Sequence, residues 1–224
     1  MQKQALVLAI EFFDALFKVH YTKGFRLTYP IPLPTTIAGI FSGMLGIERK
    51  DITKRFKGYS FGAGLSKGEV KETVEQYTFI QFGKNRLGVA RTHILVDPAY
   101  YLVMAFDSKE ELERIEKKIH DGIEYLPFGG QNDFFPKDWY VMGIKDTTVS
   151  TEVGNYLPSD WVDSLKKDVV IEILPVNHKL GDIQQFHFIL NNHIISKKEV
   201  EVCPVNGKNI ALYSLNDFYA VGEW

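Results

Sequence analysis

The stretch Leu27–Gly46, LTYPIPLPTTIAGIFSGMLG, constrains the fold of this chain more than any other. Pro30, Pro32 and Pro34 stand at alternate positions. Each fixes its own φ and pushes the residue before it out of the helical region, so the lead is extended. The pattern then changes to a helix over Thr35–Leu45, with Ile37, Ile40, Phe41, Met44 and Leu45 as a buried stripe and Gly46 as the stop. Thr35 or Thr36 is expected to cap the first turn by accepting hydrogen bonds from its free amides. The remaining N–H groups and the positive end of the helix dipole then suit a phosphate. Gly39 and Gly43, one turn apart, open a groove where another backbone can come close. The plainer alternative is that small residues let the helix pack tightly on a sheet.

A chain of 224 residues with 45% hydrophobic content has ample material for a core. No apolar run approaches the ~20 residues of a membrane span, and no leader opens the chain, so a cytoplasmic protein without membrane contact is expected. The single cysteine, Cys203, excludes an internal disulfide and a cysteine-based metal site; it reads as a small buried apolar residue beside Pro204.

The net charge of −2 hides an asymmetry. Residues 1–100 carry 14 Lys+Arg against 8 Asp+Glu, whereas residues 101–224 carry 12 against 20. Two segments contain no acid: Ala15–Ile47, with Lys18, His20, Lys23 and Arg26, and Gln76–Val96, with Lys84, Arg86, Arg91 and His93. Local positive charge of this kind is what phosphate contacts need. The acidic remainder faces water or a basic protein partner.

The element order reads strand, helix, two strands, helix, strand. Ala5–Phe17 alternates with Leu6, Leu8, Ile10 and Phe12 on one face; residues 58–106 are β throughout, broken by glycines, and end in a long strand, Arg91–Phe106, with Asp97-Pro98 as a bulge or edge position. Ser108–His120 is a helix with a Ser108/Glu111 capping box and a Glu113–Lys117 pair, stopped by Gly122; Trp139–Ile144 is the next strand. The expected fold class is α+β, a ferredoxin-like (RNA-recognition-type) domain over residues 1–146 with a long hairpin at about 58–96. Residues 147–224 form a small β-rich addition with strands at Asp168–Pro175, Gln185–Leu190, Glu199–Val202 and Asn209–Ser214, and an Asn206-Gly207 turn.

Two features suggest a nucleic-acid ligand. The hairpin turning at FGKNR (Phe82–Arg86) carries Lys84, Arg86 and Arg91 beside Tyr77, Phe79 and Phe82. Cations can track phosphates while aromatics offer faces to splayed bases; the other reading is a surface hairpin whose aromatics pack on their own partner strand. The loop FGGQND (Phe128–Asp133) has two glycines that permit close backbone approach, and Gln131 and Asn132 that could read base edges. Its spacing is not that of a dinucleotide fingerprint.

Together these segments resemble CRISPR-associated family five. The resemblance rests on P-x-P-T-T-I-x-G-x-x-x-x-x-L-G at Pro32–Gly46, R-x-x-x-L-x-x-P-x-Y at Arg91–Tyr100, and the glycine loop at Phe128–Asp133, in that order over about 145 residues. The lead TKGFRLTYPIPLPTTIAGI and the following LGIERKD are most similar to the type I-B and I-A branches. The resemblance implies a non-catalytic subunit of a type I interference complex (Cascade) in antiviral defence. Such a subunit binds the 5′ handle of the crRNA, and its hairpin acts as a thumb across the guide. Its partners would be the crRNA and the Cascade backbone and large subunits, with no cofactor and no small-molecule substrate. The implied RNA contacts are Lys23, Arg26, Tyr29, Thr35, Thr36, Lys84, Arg86, Arg91, His93, Gly129, Gly130 and Gln131.

Two alternatives stand beside it. One branch of the family cuts repeat RNA without metal, using tyrosine, lysine and histidine. Tyr21, Tyr29, His20, Lys23, His93 and His120 are the candidates here, but the adjacent Lys-His pair of that branch is absent. His178, His187 and His193 match no zinc spacing. The other alternative is an unrelated β-rich interaction protein.

Overall fold

The structure is a computed structural model and describes residues 3–19, 25–68, 70–81, 86–131, 133–178 and 182–218. The elements are β1 (Gln4–Phe12), β2 (Asp14–Ala15), β3 (Phe25–Arg26), α1 (Pro34–Leu45), α2 (Ile52–Arg55), β4 (Ser60–Leu65), β5 (Lys71–Gln81), β6 (Arg86–Val96), β7 (Ala99–Phe106), α3 (Lys109–Asp121) and β8 (Pro136–Asp146). They are followed by β9 (Thr148–Val153), β10 (Tyr156–Pro158), β11 (Val162–Leu165), β12 (Ile171–His178), β13 (Asp182–Ile189), β14 (Ile194–Val205), β15 (Lys208–Ala211) and β16 (Tyr213–Ser214). The chain is thus α+β, and its sheets are mostly antiparallel. No helix among the described residues is long and apolar enough to cross a membrane.

The central sheet has the order β16-β4-β7-β1-β8, with every neighbouring pair antiparallel. Period-two alternation in β1 sends Leu6, Leu8 and Ile10 to one face and Ala5, Val7 and Ala9 to the other. The first face packs with Ile37, Phe41 and Met44 of α1 and Leu112, Ile115 and Ile119 of α3. Ser108 caps α3 by accepting from the Glu111 amide at 3.3 Å. The Glu111 carboxylate turns to Arg55 at 2.5 Å instead of completing a capping box, and the ion pair that supports α3 at this spacing is Lys109–Glu113, 3.7 Å.

The second face is covered by the β14–β15 hairpin, whose Cys203, Val205 and Ile210 join Leu212 against Val7, Tyr101 and Val103. Asn206 and Gly207, both at positive φ, make the tight turn of this hairpin opposite the Val205–Lys208 pair. Gly62 and Gly64 lie inside β4 and do not break it. An ideal Cβ on Gly62 would sit 2.3 Å from the Ala211 carbonyl oxygen, so the glycine lets the C-terminal strand cross at close range. The C-terminal third also builds the β10-β13-β12 sheet, and its Phe186 and Phe188 belong to the same core as Tyr29 and Tyr100.

The expected long strand Arg91–Phe106 is two strands. Asp97, at φ 49°, and Pro98 form a corner held by Asp97 N–H to Phe13 O (2.9 Å) and Phe12 N–H to Pro98 O (3.0 Å). There the chain leaves the β5–β6 hairpin and enters the central sheet.

Candidate nucleic-acid interface

Residues 14–19 form the strip on which the expected contact segments meet. The Leu16 amide donates to Gly129 O at 2.7 Å, Phe17 N–H donates to the Thr28 hydroxyl at 3.0 Å, and Tyr29 N–H returns to Phe17 O at 2.8 Å. The glycine loop therefore lies along one edge of the strip and the proline lead along the other. Gly129 and Gly130 serve this packing. An ideal Cβ would stand 2.7 Å from Asp14 O at Gly129, and 2.0 Å from Leu16 O at Gly130, whose φ is +91°. Their amides donate within the loop, to Phe134 O and Phe128 O.

Helix α1 begins at Pro34, one residue earlier than expected, with Leu33 at the cap position and no side-chain cap. Proline at the first helical position has no N–H, so it removes one of the free amides of the first turn. Thr35 and Thr36 instead occupy the first turn, half-buried. Gly46, at φ 72°, closes the helix through Gly46 N–H to Gly43 O and Ile47 N–H to Ser42 O, a Schellman-type end.

Between α1 and residues 125–131 runs a groove of about 580 Å³. Thr35, Thr36, Gly130 and Gln131 all line it, so two motifs about 95 residues apart in sequence reach one site. Tyr29 is part of the lining but is almost wholly buried in it. That ring is 2% exposed, stacks on Phe188 at 5.4 Å and donates its hydroxyl to Pro175 O at 2.7 Å, so it shapes the groove without offering a face. Lys18 of the acid-free segment and Phe128 of the glycine loop also line it, together with residues not anticipated from the sequence, chiefly Arg49, Tyr125 and Leu126. Gly39 and Gly43 line it with open space where a Cβ would stand, which matches the expected small-residue groove.

The second surface is the β5–β6 hairpin, paired in continuous register from Lys71↔Val96 to Gln81↔Arg86. Its root is fastened to the same strip by Ala15↔Leu95 and by the cluster of Leu16, Ile94, Phe134 and Tyr77. Tyr77 packs there against the body, and burial is the main cause that raises its phenol pKa. Strand β3 adds on in parallel through Phe25↔Arg91 and Arg26↔Thr92. Alternation buries Ala90, Thr92 and Ile94 and turns Val89, Arg91 and His93 the other way. Arg91 is exposed, and the strand pairing sets it opposite Phe25, itself 48% exposed, so a cation and an aromatic residue become neighbours only through this pairing. His93 is in direct contact with Glu72, and Arg26 is half-buried. Lys23 and Lys84 lie outside the described residues, as do Asn132 and the turn at 82–85; Arg86 closes the described hairpin opposite Gln81, and its side chain is likewise outside them.

No protein-family model matches the chain, and no curated protein matches it in sequence. Among solved structures it is similar to a chain of a CRISPR RNA-guided surveillance complex, at 14% identity and a TM-score of 0.52, covering 86% of this chain and 91% of that one. A crystal structure of a CRISPR-associated protein is similar at 13% identity and a TM-score of 0.44, covering 88% and 94%. A chain in the Type III-B Cmr-beta assembly bound to cognate target RNA and AMPPnP gives 11% identity and 0.44, covering 86% of each. At these identities the likeness is one of fold: the chain has the fold of a subunit found in a CRISPR RNA-guided surveillance complex.

Proposed function

We propose that this chain is a CRISPR effector-complex subunit that binds the 5′ handle of the crRNA in a type I (Cascade) assembly, as in family five, and joins its large subunit to the backbone filament. The observation that carries the reading is the convergence on one strip, residues 14–19, of the three segments on which the family resemblance rests. The proline-lead helix and the glycine loop share the groove, and the Arg91 strand roots beside Leu16. The order of β4, β7, β1 and β8 with α1 and α3 on one face supports the ferredoxin-like assignment common to RNA-binding proteins of this kind. The exposed Phe25–Arg91 face is suited to an unpaired strand, with the guanidinium on phosphate and the ring under a base.

In this reading the chain is not a nuclease. Among the described acid–base candidates, Tyr29 is buried in the groove wall, His93 is engaged by Glu72 on the hairpin, and His120 lies in the last turn of α3. They sit on three separate segments, the proline lead, β6 and α3. The test is to express the tagged chain in its native host, purify it gently and sequence the RNA that accompanies it. Short RNAs of uniform length, sharing a 5′ leader and differing in spacer, are the expected result. Preparations without enriched RNA and without CRISPR subunits would overturn the proposal.

A further inference from the structure

The outer edge of β8 carries a charge pattern complementary to itself, and we propose that two copies of this chain pair there, antiparallel, about a twofold axis at Val141. The inference is independent of RNA binding, since neither the groove nor the β5–β6 hairpin enters it.

The edge is the first observation. β8 ends the central sheet and, among the described residues, pairs with β1 alone. The inner strands β1 and β7 are almost continuously buried, whereas none of the eleven residues of β8 is. Its middle is nonetheless apolar: Trp139, Val141, Met142 and Ile144 are half-buried, and Tyr140 is 56% exposed. A long apolar edge with unpaired amides and carbonyls is a template for another strand. Charge is one device that keeps such an edge single. Here it stands only at the two ends, as Lys137-Asp138 and Lys145-Asp146.

The order of those charges selects the occupant. Against β1, Val7 faces Gly143 and Leu8 faces Val141, so Met142 is an extra residue and Gly143 takes a φ of 94°. This bulge resets the alternation. Trp139, opposite Ile10, and Ile144, opposite Leu6, therefore share the helix-bearing face although they are five residues apart. Asp138, opposite Glu11, and Lys145, opposite Ala5, share the other face. With Met142 and Gly143 counted as one position, the strand is symmetric about Val141. In a twofold pairing Trp139 then meets the partner's Ile144, and Asp138 meets the partner's Lys145. Symmetry makes each contact twice. Neither Asp138 nor Lys145 forms an ion pair among the described residues; Asp138 accepts from the adjacent Trp139 amide at 2.8 Å. Lys137 and Asp146 are engaged within the chain, by Glu11 and Gln4, and are not needed. A parallel pairing in register would set Asp138 against Asp138 and Lys145 against Lys145, which like-charge repulsion disfavours.

The test is the oligomeric state of the purified, nuclease-treated chain by sedimentation velocity. At about 100 µM a species of twice the 25.6 kDa chain mass is expected. Asp138→Lys and Lys145→Asp each place like charges opposite one another in both pairs, and each should weaken dimerisation about tenfold or more. Mixed one to one, the two variants regain opposite charges in both pairs, and a heterodimer about as tight as the parent dimer should form. Val141→Cys gives a second reading. Mild oxidation should link two chains through it far faster than through Val149→Cys, whose parent side chain is 60% exposed on β9. A monomeric parent would overturn the proposal. So would single variants that dimerise like the parent, a mixture no tighter than either variant alone, or equal linking of the two cysteine variants.

Discussion

The missing side chain of Gly130 is what lets the carbonyl of Leu16 occupy its place. An ideal Cβ at Gly130 would stand 2.0 Å from that oxygen, at a φ of +91° that side chains rarely adopt. Gly130→Ala is therefore expected to lower unfolding free energy by about 2–4 kcal/mol, since the 14–19 strip or the loop must move. Gly43→Ala, with open space at its Cβ, should raise stability by up to about 1 kcal/mol through helix propensity. Urea denaturation of both variants measures the contrast. Equal stability of Gly130→Ala and the parent would refute the close-approach account.

Gly62 makes the same kind of contact across the sheet, 2.3 Å from Ala211 O for an ideal Cβ. Gly62→Ala should loosen the crossing of the C-terminal strand over β4. Limited proteolysis is expected to cut within residues 203–218 sooner than in the parent, while cleavage near α3 stays unchanged.

Arg91 is exposed beside Phe25 on the hairpin face. If it contacts phosphate, Arg91→Ala should weaken RNA binding about equally for all guide spacers. It should also reduce the slope of log affinity against log salt by about one unit. Filter binding over a salt series gives both quantities, and a strong spacer dependence would refute a phosphate contact.

Glu11 accepts from Lys67 at 2.6 Å and from Lys137 at 3.1 Å. The Lys67 hydrogen bond is the largest influence and holds the carboxyl below the ordinary glutamate value. A carboxyl depressed by folding stabilises the native state above its unfolded pKa, and that contribution is lost as pH falls through its folded pKa. The parent should be more stable than Glu11→Gln at pH 7, and the gap should close as the pH drops below the carboxylate range. Thermal melts of both proteins across that range measure the gap; one independent of pH would disprove the linkage.

Cys203 is fully buried against the central sheet, and burial pushes its thiol up to about 12. An unreactive thiol of this kind reports opening of the fold. Its labelling rate by a thiol reagent should rise with urea in step with global unfolding and stay near zero in native buffer. Rapid labelling of the native protein would show that the β14–β15 hairpin lifts locally.

The elements with strong periodicity were legible from the residues. The alternation in β1, the stripe of α1, the Ser108 cap and the Asn206-Gly207 turn all follow from local chemistry. Features that depend on distant partners were not. Gly62 and Gly64 read as breaks because their reason, the crossing near Ala211, lies about 150 residues away. Tyr29 in an extended proline segment gives no sign of whether its ring faces water or Phe188. Tyr125 and Leu126 sit in a connection without periodicity, so they escaped notice although they line the groove. The Phe25–Arg91 neighbourhood exists only through a two-residue parallel pairing.

The covering of the central sheet by β14 and β15 has a consequence for biosynthesis. During translation, Ala5, Val7, Tyr101 and Val103 emerge long before Cys203, Val205 and Ile210 can cover them, and the β4 edge lacks its Tyr213–Ser214 partner until the same moment. A ribosome-bound chain of about 150 residues carries a wet apolar sheet face and an open strand edge, both invitations to aggregation. Non-local closure of this kind also slows folding. Yield in the cell should accordingly depend on chaperone supply during the interval between synthesis of β8 and synthesis of β15.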